Sequence, residues 1–417
     1  MARPSRRALS SVLLPVAFTA VAHAQKPLTW EDVREQFRAN NPSLQAGQTF
    51  VQENRANEVT AGLRPNPQLS IIEDEFHVWN PNPLQPFQNA QLTHTVTQLW
   101  ERQHKRQLRV ASAELATAVS AADAQDLERN LLFALRDAFI RVLQAKSIQQ
   151  LAGDNLAYYD KVIEVNRQRY QAGDISRSDL ERVELQRAQF QSDLINARVN
   201  LRTAKIQLLA LMEDKRPVDR FDVTGDFDFR ETILLPEELH RAAVDARPDL
   251  KSADTLIRKA EADNKLAWAN GSTDPTIGVE YQRTGPDNTM GIDFAIPLRI
   301  FDRNQGEKAR TALEIRRSQQ IRQALVTSVF RDVDSAYAQL DSVRALLRPY
   351  RDQYLKQAAD IRDTVSFAYA RGGASLLDFL DAQKSYRDTE LNYRNLIASY
   401  LSAANQLNLA VGREVIQ

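Results

Sequence analysis

The stretch RYQAGDISRSDLERVELQ, residues 169–186, halts a long helical pattern at a Gly-Asp pair and restarts it at once. AYARGGASLLDFLDAQ, from Ala368, repeats the design. At a constant offset of 199, Tyr170 falls on Tyr369, Gly173 on Gly372, Ser176 on Ser375 and Asp179 on Asp378. A second correspondence, at an offset of 206, sets Glu31, Pro42 and Leu44 against Glu237, Pro248 and Leu250. Two correspondences in the same chain order indicate an internal duplication, which restricts the fold to architectures made from two copies of one plan.

The plan can be read from periodicity. Each half opens with a helix of about 33 residues, roughly 30–62 and 237–270. Segments bounded by Pro and Asn follow, and there the period changes to two. Ile277, Val279 and Tyr281 alternate with Thr276, Gly278, Glu280 and Gln282, and Met290, Ile292, Phe294, Ile296 and Leu298 alternate with polar or small neighbours. That pattern predicts strands with one apolar and one polar face at about 67–78, 88–99, 275–284 and 288–298. GPDN, residues 285–288, reads as a tight turn, whereas VWNPNPLQPFQ in the first half is longer and Pro-rich. Long helices over about 102–172 and 306–371 come next, each about 100 Å long at 1.5 Å per residue.

After each Gly break a heptad seam runs on. In the first half it comprises Leu180, Val183, Phe190, Leu194, Ala197, Leu201, Ala204, Leu208 and Leu211, with Arg187 as a polar member. Its echo is Phe379, Ala382, Tyr386, Thr389, Tyr393, Leu396, Tyr400, Ala403, Leu407 and Ala410. Steps of three and four residues over several heptads predict coiled-coil packing, and the small and aromatic members fit a multi-helix wall. The chain divides into 1–24, a first repeat over 25–212, a linking segment 213–236 placed near the middle of the rod, and a second repeat over 237–417.

Composition agrees with exposed rods. There are 13 Gly in 417 residues and 26% of the chain is charged, which suits long helices with much open surface. Residues 1–24 combine Arg3, Arg6 and Arg7, an apolar middle and the small-x-small ending Ala22-His23-Ala24, the anatomy of a secretory signal peptide cleaved before Gln25. Losing those three arginines leaves 51 of the 54 basic residues against 54 acidic ones, a balance that advertises no nucleic-acid partner. The chain has no cysteine, which excludes disulfides, thiolate metal sites and attachment of lipid through an N-terminal cysteine. Beyond the leader no apolar run reaches the length of a spanning helix.

Four strands of this kind cannot close a barrel alone, because free edges leave backbone groups unpaired in lipid. Three copies supply twelve strands and a tube of helices. An export signal and alternating strands of about ten residues point to a Gram-negative outer membrane, with the polar faces turned to a water-filled lumen. No phosphate-binding loop, nucleophile elbow or HExxH motif is present, so the chain is expected not to be an enzyme, and no cofactor or resident metal is expected. Glu73, Glu75 and His77 on one strand face could mimic a metal site, although a solvated face explains them more simply.

Over essentially the whole mature chain this order of elements, with its duplicated Y-x-x-G-x-x-S-x-x-D turn, resembles the TolC-like outer membrane factors of tripartite efflux pumps. Gln98, Glu101, Lys105 and Arg106 in QLWERQHKRQLR are similar to a pattern of the heavy-metal-efflux branch. The resemblance implies a mainly helical fold with β-structure: a homotrimer with a 12-stranded outer-membrane barrel and a periplasmic α-helical coiled-coil barrel. It implies a passive exit duct that works with a periplasmic adaptor and an inner-membrane pump of the RND type, with heavy-metal cations as one cargo. Type I secretion, drug efflux and a non-channel periplasmic coiled-coil protein are the alternatives.

By the same resemblance the tips about 170–179 and 369–378 dock the adaptor through Tyr170, Gly173, Ser176, Tyr369, Gly372 and Ser375. Asp378 and Asp381 match an aperture ring, with Asp179 and Arg182 as first-repeat counterparts. Asp179 and Asp378 also lie in a first helical turn, where carboxylates favour the helix dipole whatever the function. Ala374 stands where some relatives carry an arginine that ties the closed state.

Overall fold

A computed structural model describes residues 26–75, 90–230 and 235–416. The leader and the whole Pro-rich connection lie outside those residues, as do the predicted strand positions 76–78 and 88–89.

The first repeat runs α1 (Trp30–Asn40), α2 (Pro42–Gly62), β1 (Gln68–Asp74), β2 (Gln91–Leu99), α3 (Lys105–Gln171) and α4 (Arg177–Leu211). The second runs α5 (Pro236–Ala246), α6 (Pro248–Asn270), β3 (Thr276–Thr284), β4 (Asp287–Ala295), α7 (Gln305–Pro349), a π-turn (Tyr350–Tyr354), α8 (Leu355–Ala370) and α9 (Leu376–Val411). The opening helix of each half is therefore two helices. The breaks fall at Asn41 and Arg247, whose ψ values are 118° and 124°. Pro42 and Pro248 cause them, because the proline ring disfavours the helical region for the preceding residue while suiting the first position of a new helix.

The second long helix is interrupted as well. Pro349 lacks the N–H that would continue the ladder, and the chain takes a π-turn before resuming. In contrast, α3 continues for 67 residues without a break.

The strands form one antiparallel sheet in the order β1-β2-β3-β4. The β3–β4 register pairs Thr284 with Asp287, so the turn is the two residues Gly285 and Pro286, with Gly285 at φ 56°. Two expectations are corrected here. The fourth strand ends at Ala295, because Pro297 offers no donor, and Ile296 and Leu298 lie beyond the ladder. The first ends at Asp74, and Glu75 at φ 61° leaves the alternation, so Glu73 and Glu75 share no strand face; His77 is outside the described residues.

Cross-strand rows assign the faces. Leu69, Val96, Val279 and Ile292 form one row, and Ile71, His94, Tyr281 and Met290 the next. Apart from His94, whose ring stacks on Tyr281 with centroids 6.2 Å apart, these rows are apolar and largely exposed. The opposite face carries Ser70, Thr95, Glu280 and Gly291 in one row and Gln68, Thr97, Gly278 and Asp293 in another. Asp74 and Asp287 complete its charges, and among the described residues no strand position on this face is Lys or Arg.

Below the sheet the helices lie side by side. Near the strands α3 packs between α2 and α6, and α7 packs on α6. At the far end α3 packs between α4 and α9, and α8 packs on α9. Midway, Phe221 and Val223 of the linking segment are buried with Val33, Phe37, Leu135 and Phe139, and Leu28 forms a parallel bridge to Val223. Phe229 closes the matching core of the second repeat with Leu239, Val333, Leu340 and Tyr400.

Candidate functional site

The helices reverse at the end farthest from the sheet, in two hairpins: α3 with α4, and α8 with α9. Both reversals have the same hydrogen bonds. Gly173 donates its N–H to the Tyr170 carbonyl at 3.1 Å, and Asp174 donates to Arg169 at 2.8 Å. Gly372 donates to Tyr369 at 3.1 Å, and Gly373 to Ala368 at 2.8 Å. This pair of bonds, six-to-one and five-to-two, is a Schellman cap, and it requires the left-handed backbone that the glycines adopt at φ 84° and 78°. A Cβ at either glycine would meet nothing within 4 Å, so backbone sterics, rather than crowding, select glycine here.

The next helix is capped equally alike. Ser176 accepts the Asp179 N–H at 3.1 Å and donates its hydroxyl to the Asp179 carboxylate at 2.8 Å. Ser375 accepts the Asp378 N–H at 3.2 Å, and its own N–H and hydroxyl donate to the Asp378 carboxylate at 3.1 and 2.7 Å. The Ser375 hydroxyl first, then its N–H, holds the Asp378 carboxyl below the ordinary value of 3.8. Both aspartates are thus placed as caps. Asp381 lies one turn on and is exposed.

The tyrosines that precede the glycines differ. Tyr170 is 41% exposed, whereas Tyr369 is 7% exposed and belongs to a cluster with Tyr159, Ile163, Val183, Phe190 and Phe379. The Tyr369 ring stacks on Phe379 at 4.8 Å, and its hydroxyl donates to Asn166 Oδ1 of α3 at 2.6 Å. Arg169, also of α3, donates to the Tyr369 carbonyl at 3.1 Å and lies 4.9 Å over the ring. Burial raises the Tyr369 phenol above its ordinary value of 10, with Arg169 opposing. One turn up, buried Gln383 donates to Ser366 at 3.1 Å and to Tyr158 of α3 at 3.3 Å. These contacts fasten the second hairpin to the first.

Asn166, Arg169, Tyr158 and Gln383 are not singled out by the repeat. Asn166 carries a signal nonetheless: Leu156, Tyr159, Ile163 and Asn166 follow steps of three and four, so a lone polar residue stands in an apolar seam, a device that fixes register. Arg187, the polar member of the α4 seam, donates to Asp160 of α3 at 2.5 Å.

At the opposite end of α3 the residues of QLWERQHKR act as ties. Gln98 donates to the Pro65 carbonyl at 2.9 Å, Glu101 pairs with Arg109, and buried Lys105 pairs with Asp274 at 2.6 Å and donates to the Ser272 carbonyl at 2.9 Å. They join the strands to the helices and the first repeat to the second. Among the described residues, no three His, Cys, Asp or Glu side chains are grouped to hold a metal ion.

Residues 239–413 match the family model described as outer membrane efflux protein. The cobalt-zinc-cadmium resistance protein CzcC of Cupriavidus metallidurans is 24% identical over 407 residues, covering 94% of this chain and 91% of that protein. The outer membrane efflux protein BepC of Brucella suis is 24% identical over 336 residues, covering 73% of this chain and 70% of its own. Among solved structures, CusC superposes with a TM-score of 0.76 at 16% identity, over 92% of each chain, so the likeness is one of fold. The family model thus covers most of the second half of the chain, and the likeness of fold to CusC extends over nearly its whole length.

Proposed function

We propose that three copies of this chain close into an outer-membrane exit duct that passively conducts cargo delivered by a periplasmic adaptor and an inner-membrane pump. One observation carries the reading: the sheet and the helical wall are open at the same two edges. One side ends in β1, α2 and α4, the other in β4, α7 and α8. These surfaces differ, so only head-to-tail association can pair them, and head-to-tail contacts that close make a ring. β1 and β4 run antiparallel, so successive copies continue one antiparallel sheet, and three copies give twelve strands. Leu185, Ile195, Val199 and Ile206 on the outer side of α4 are exposed at roughly heptad spacing, which fits a helix of the next copy.

The apolar sheet face then meets lipid, and the acidic face lines the lumen. Carboxylates from Asp74, Glu280, Asp287 and Asp293, unopposed by strand Lys or Arg, favour cations there. Together with the likeness to CzcC, this supports metal cations as cargo over drugs or secreted protein. The hairpin ends, with Tyr170, Gly173 and Ser176 beside Tyr369, Gly372 and Ser375, are the adaptor-docking tips. Asp378 and Asp381, with Asp179, surround the aperture, and Asp378 both caps its helix and contributes charge.

The test is fractionation of cells that express the full chain, followed by planar-bilayer recording. Heat-modifiable trimers in the outer membrane that conduct cations in preference to anions are expected. A monomeric protein in the periplasmic fraction would instead make it a structural coiled-coil protein.

A further inference from the structure

Resting on the reading of the sheet as a membrane barrel, we propose that Arg64, Trp100 and Arg106 form a binding site for the phosphate of a phospholipid headgroup at the base of the barrel. The Trp100 N–H donates to the Pro275 carbonyl at 2.8 Å, which carries the β2–β3 ladder one residue past Leu99. Trp100 therefore keeps the strand alternation and stands with Val96 and Gln98 on the lipid-facing side, where it is 65% exposed. An amphipathic indole at the end of an apolar strand face suits the boundary between acyl chains and headgroups.

Beneath it opens a cleft of about 370 Å³ lined by Arg64, Gln98, Trp100, Glu101 and Arg106, among others. The polar groups there leave the two arginines uncommitted. Glu101 is engaged through both oxygens by Arg109, and Gln98 donates to the Pro65 and Leu99 carbonyls. Neither Arg64 nor Arg106 has an ion-pair partner among the described residues, and Arg106 Nε is enclosed without any acceptor. Two guanidiniums beside an interfacial indole provide planar donors that match phosphate oxygens, at the depth where a phosphodiester lies.

The second repeat does not reproduce the site. Aligned on the left-handed residues that precede the long helices, His104 and Asn304, Trp100 corresponds to Ile300 and Arg106 to Gly306. A trimer thus carries three sites, all in the first repeat.

The experiment uses the full-length oligomer in detergent, with dioleoylphosphatidylglycerol, phosphate-free dioleoylglycerol and inorganic phosphate as probes, read by native mass spectrometry. Phosphatidylglycerol should stay bound, dioleoylglycerol should not, and millimolar inorganic phosphate should not displace it. Arg64→Gln with Arg106→Gln should weaken phosphatidylglycerol binding about thirtyfold, and exposed Arg64→Gln alone about fivefold. Arg303→Gln, on the corresponding loop of the second repeat, should leave binding unchanged. Equal binding by the double variant, or of dioleoylglycerol, overturns the site, and displacement by inorganic phosphate overturns its assignment to lipid. Co-flotation with vesicles separates the two readings. A protein that inserts yet retains no phospholipid loses only this site, whereas one that does not insert loses the barrel as well.

Discussion

The two hairpins share a plan and differ in stiffness. The first hangs from α3, an unbroken helix of 67 residues. The second hangs from α7 and α8, which are separated by Pro349 and a π-turn. Proline and π-turns are the usual causes of helix bending, so duplication has produced one rigid strut and one jointed arm. The joint lies beside the core: Arg351 lies 5.0 Å over the ring of buried Phe229, and Tyr350 and Tyr354 meet edge to face at 5.4 Å. Below the joint, contacts around Tyr369 and Gln383 hold the arm to the strut, with an ion pair of Arg387 to Asp193 at 3.5 Å.

The largest effect should come from separating the two tyrosines. Tyr369→Ala removes a buried ring and the hydrogen bond to Asn166, and should destabilise the second tip by about 3–5 kcal/mol. Tyr170→Ala, at the exposed counterpart, should stay within about 0.5 kcal/mol. Hydrogen exchange over 355–383 in the two variants measures the difference, and equal protection would mean that the hairpins are held alike.

The joint itself should come next. Pro349→Ala permits an additional helical hydrogen bond and should stabilise the arm by up to about 3 kcal/mol, the helix-interior difference between these residues. Slower exchange at 350–354 and longer closed times in single-channel recordings are expected. Faster exchange there would mean that the proline supports the turn rather than causing it.

A smaller and symmetrical effect is expected at the glycines. Gly173→Ala and Gly372→Ala should each cost about 1–2 kcal/mol, the penalty of a left-handed conformation for a residue with a Cβ, because neither site is crowded. Thermal unfolding of the two variants should agree within error, and a marked inequality would show that tertiary contacts discriminate between the reversals.

The smallest effect is one of pH. Because the Asp378 carboxyl is held below its ordinary value, its cap is fully present above that value and is lost as pH falls through the lowered one. The carboxyl carbon of Asp378 should therefore titrate below 3.8 in NMR. A midpoint at or above that value would mean that the capping bonds to Ser375 are not maintained in solution.

The features legible in the sequence are those set by local periodicity. Heptad members Val183, Phe190, Ala197, Ala204 and Leu208 are buried, as are Phe379, Ala382, Tyr400, Ala403, Leu407 and Ala410. Alternation in 276–295 gave the sheet its faces, and the paired Gly and Ser gave the reversals. What stayed hidden depends on neighbours distant in sequence. Tyr170 and Tyr369 occupy equivalent positions, and only the packing of one hairpin on the other buries the second. Pro42, Pro248 and Pro349 are visible in the sequence, but each lies within a strong helical pattern that masks the breaks at Asn41, Arg247 and Tyr350. Lys105 and Asp274 are 169 residues apart, and no local pattern links them.

The central claim, head-to-tail closure through different edges, can be tested in a chain that contains no cysteine. Leu69→Cys on β1 and Ile292→Cys on β4 should crosslink in outer membranes only when both are present, in ladders that stop at three copies. Efficient crosslinking by either single variant, or ladders that continue past three, would contradict the closed trimeric duct.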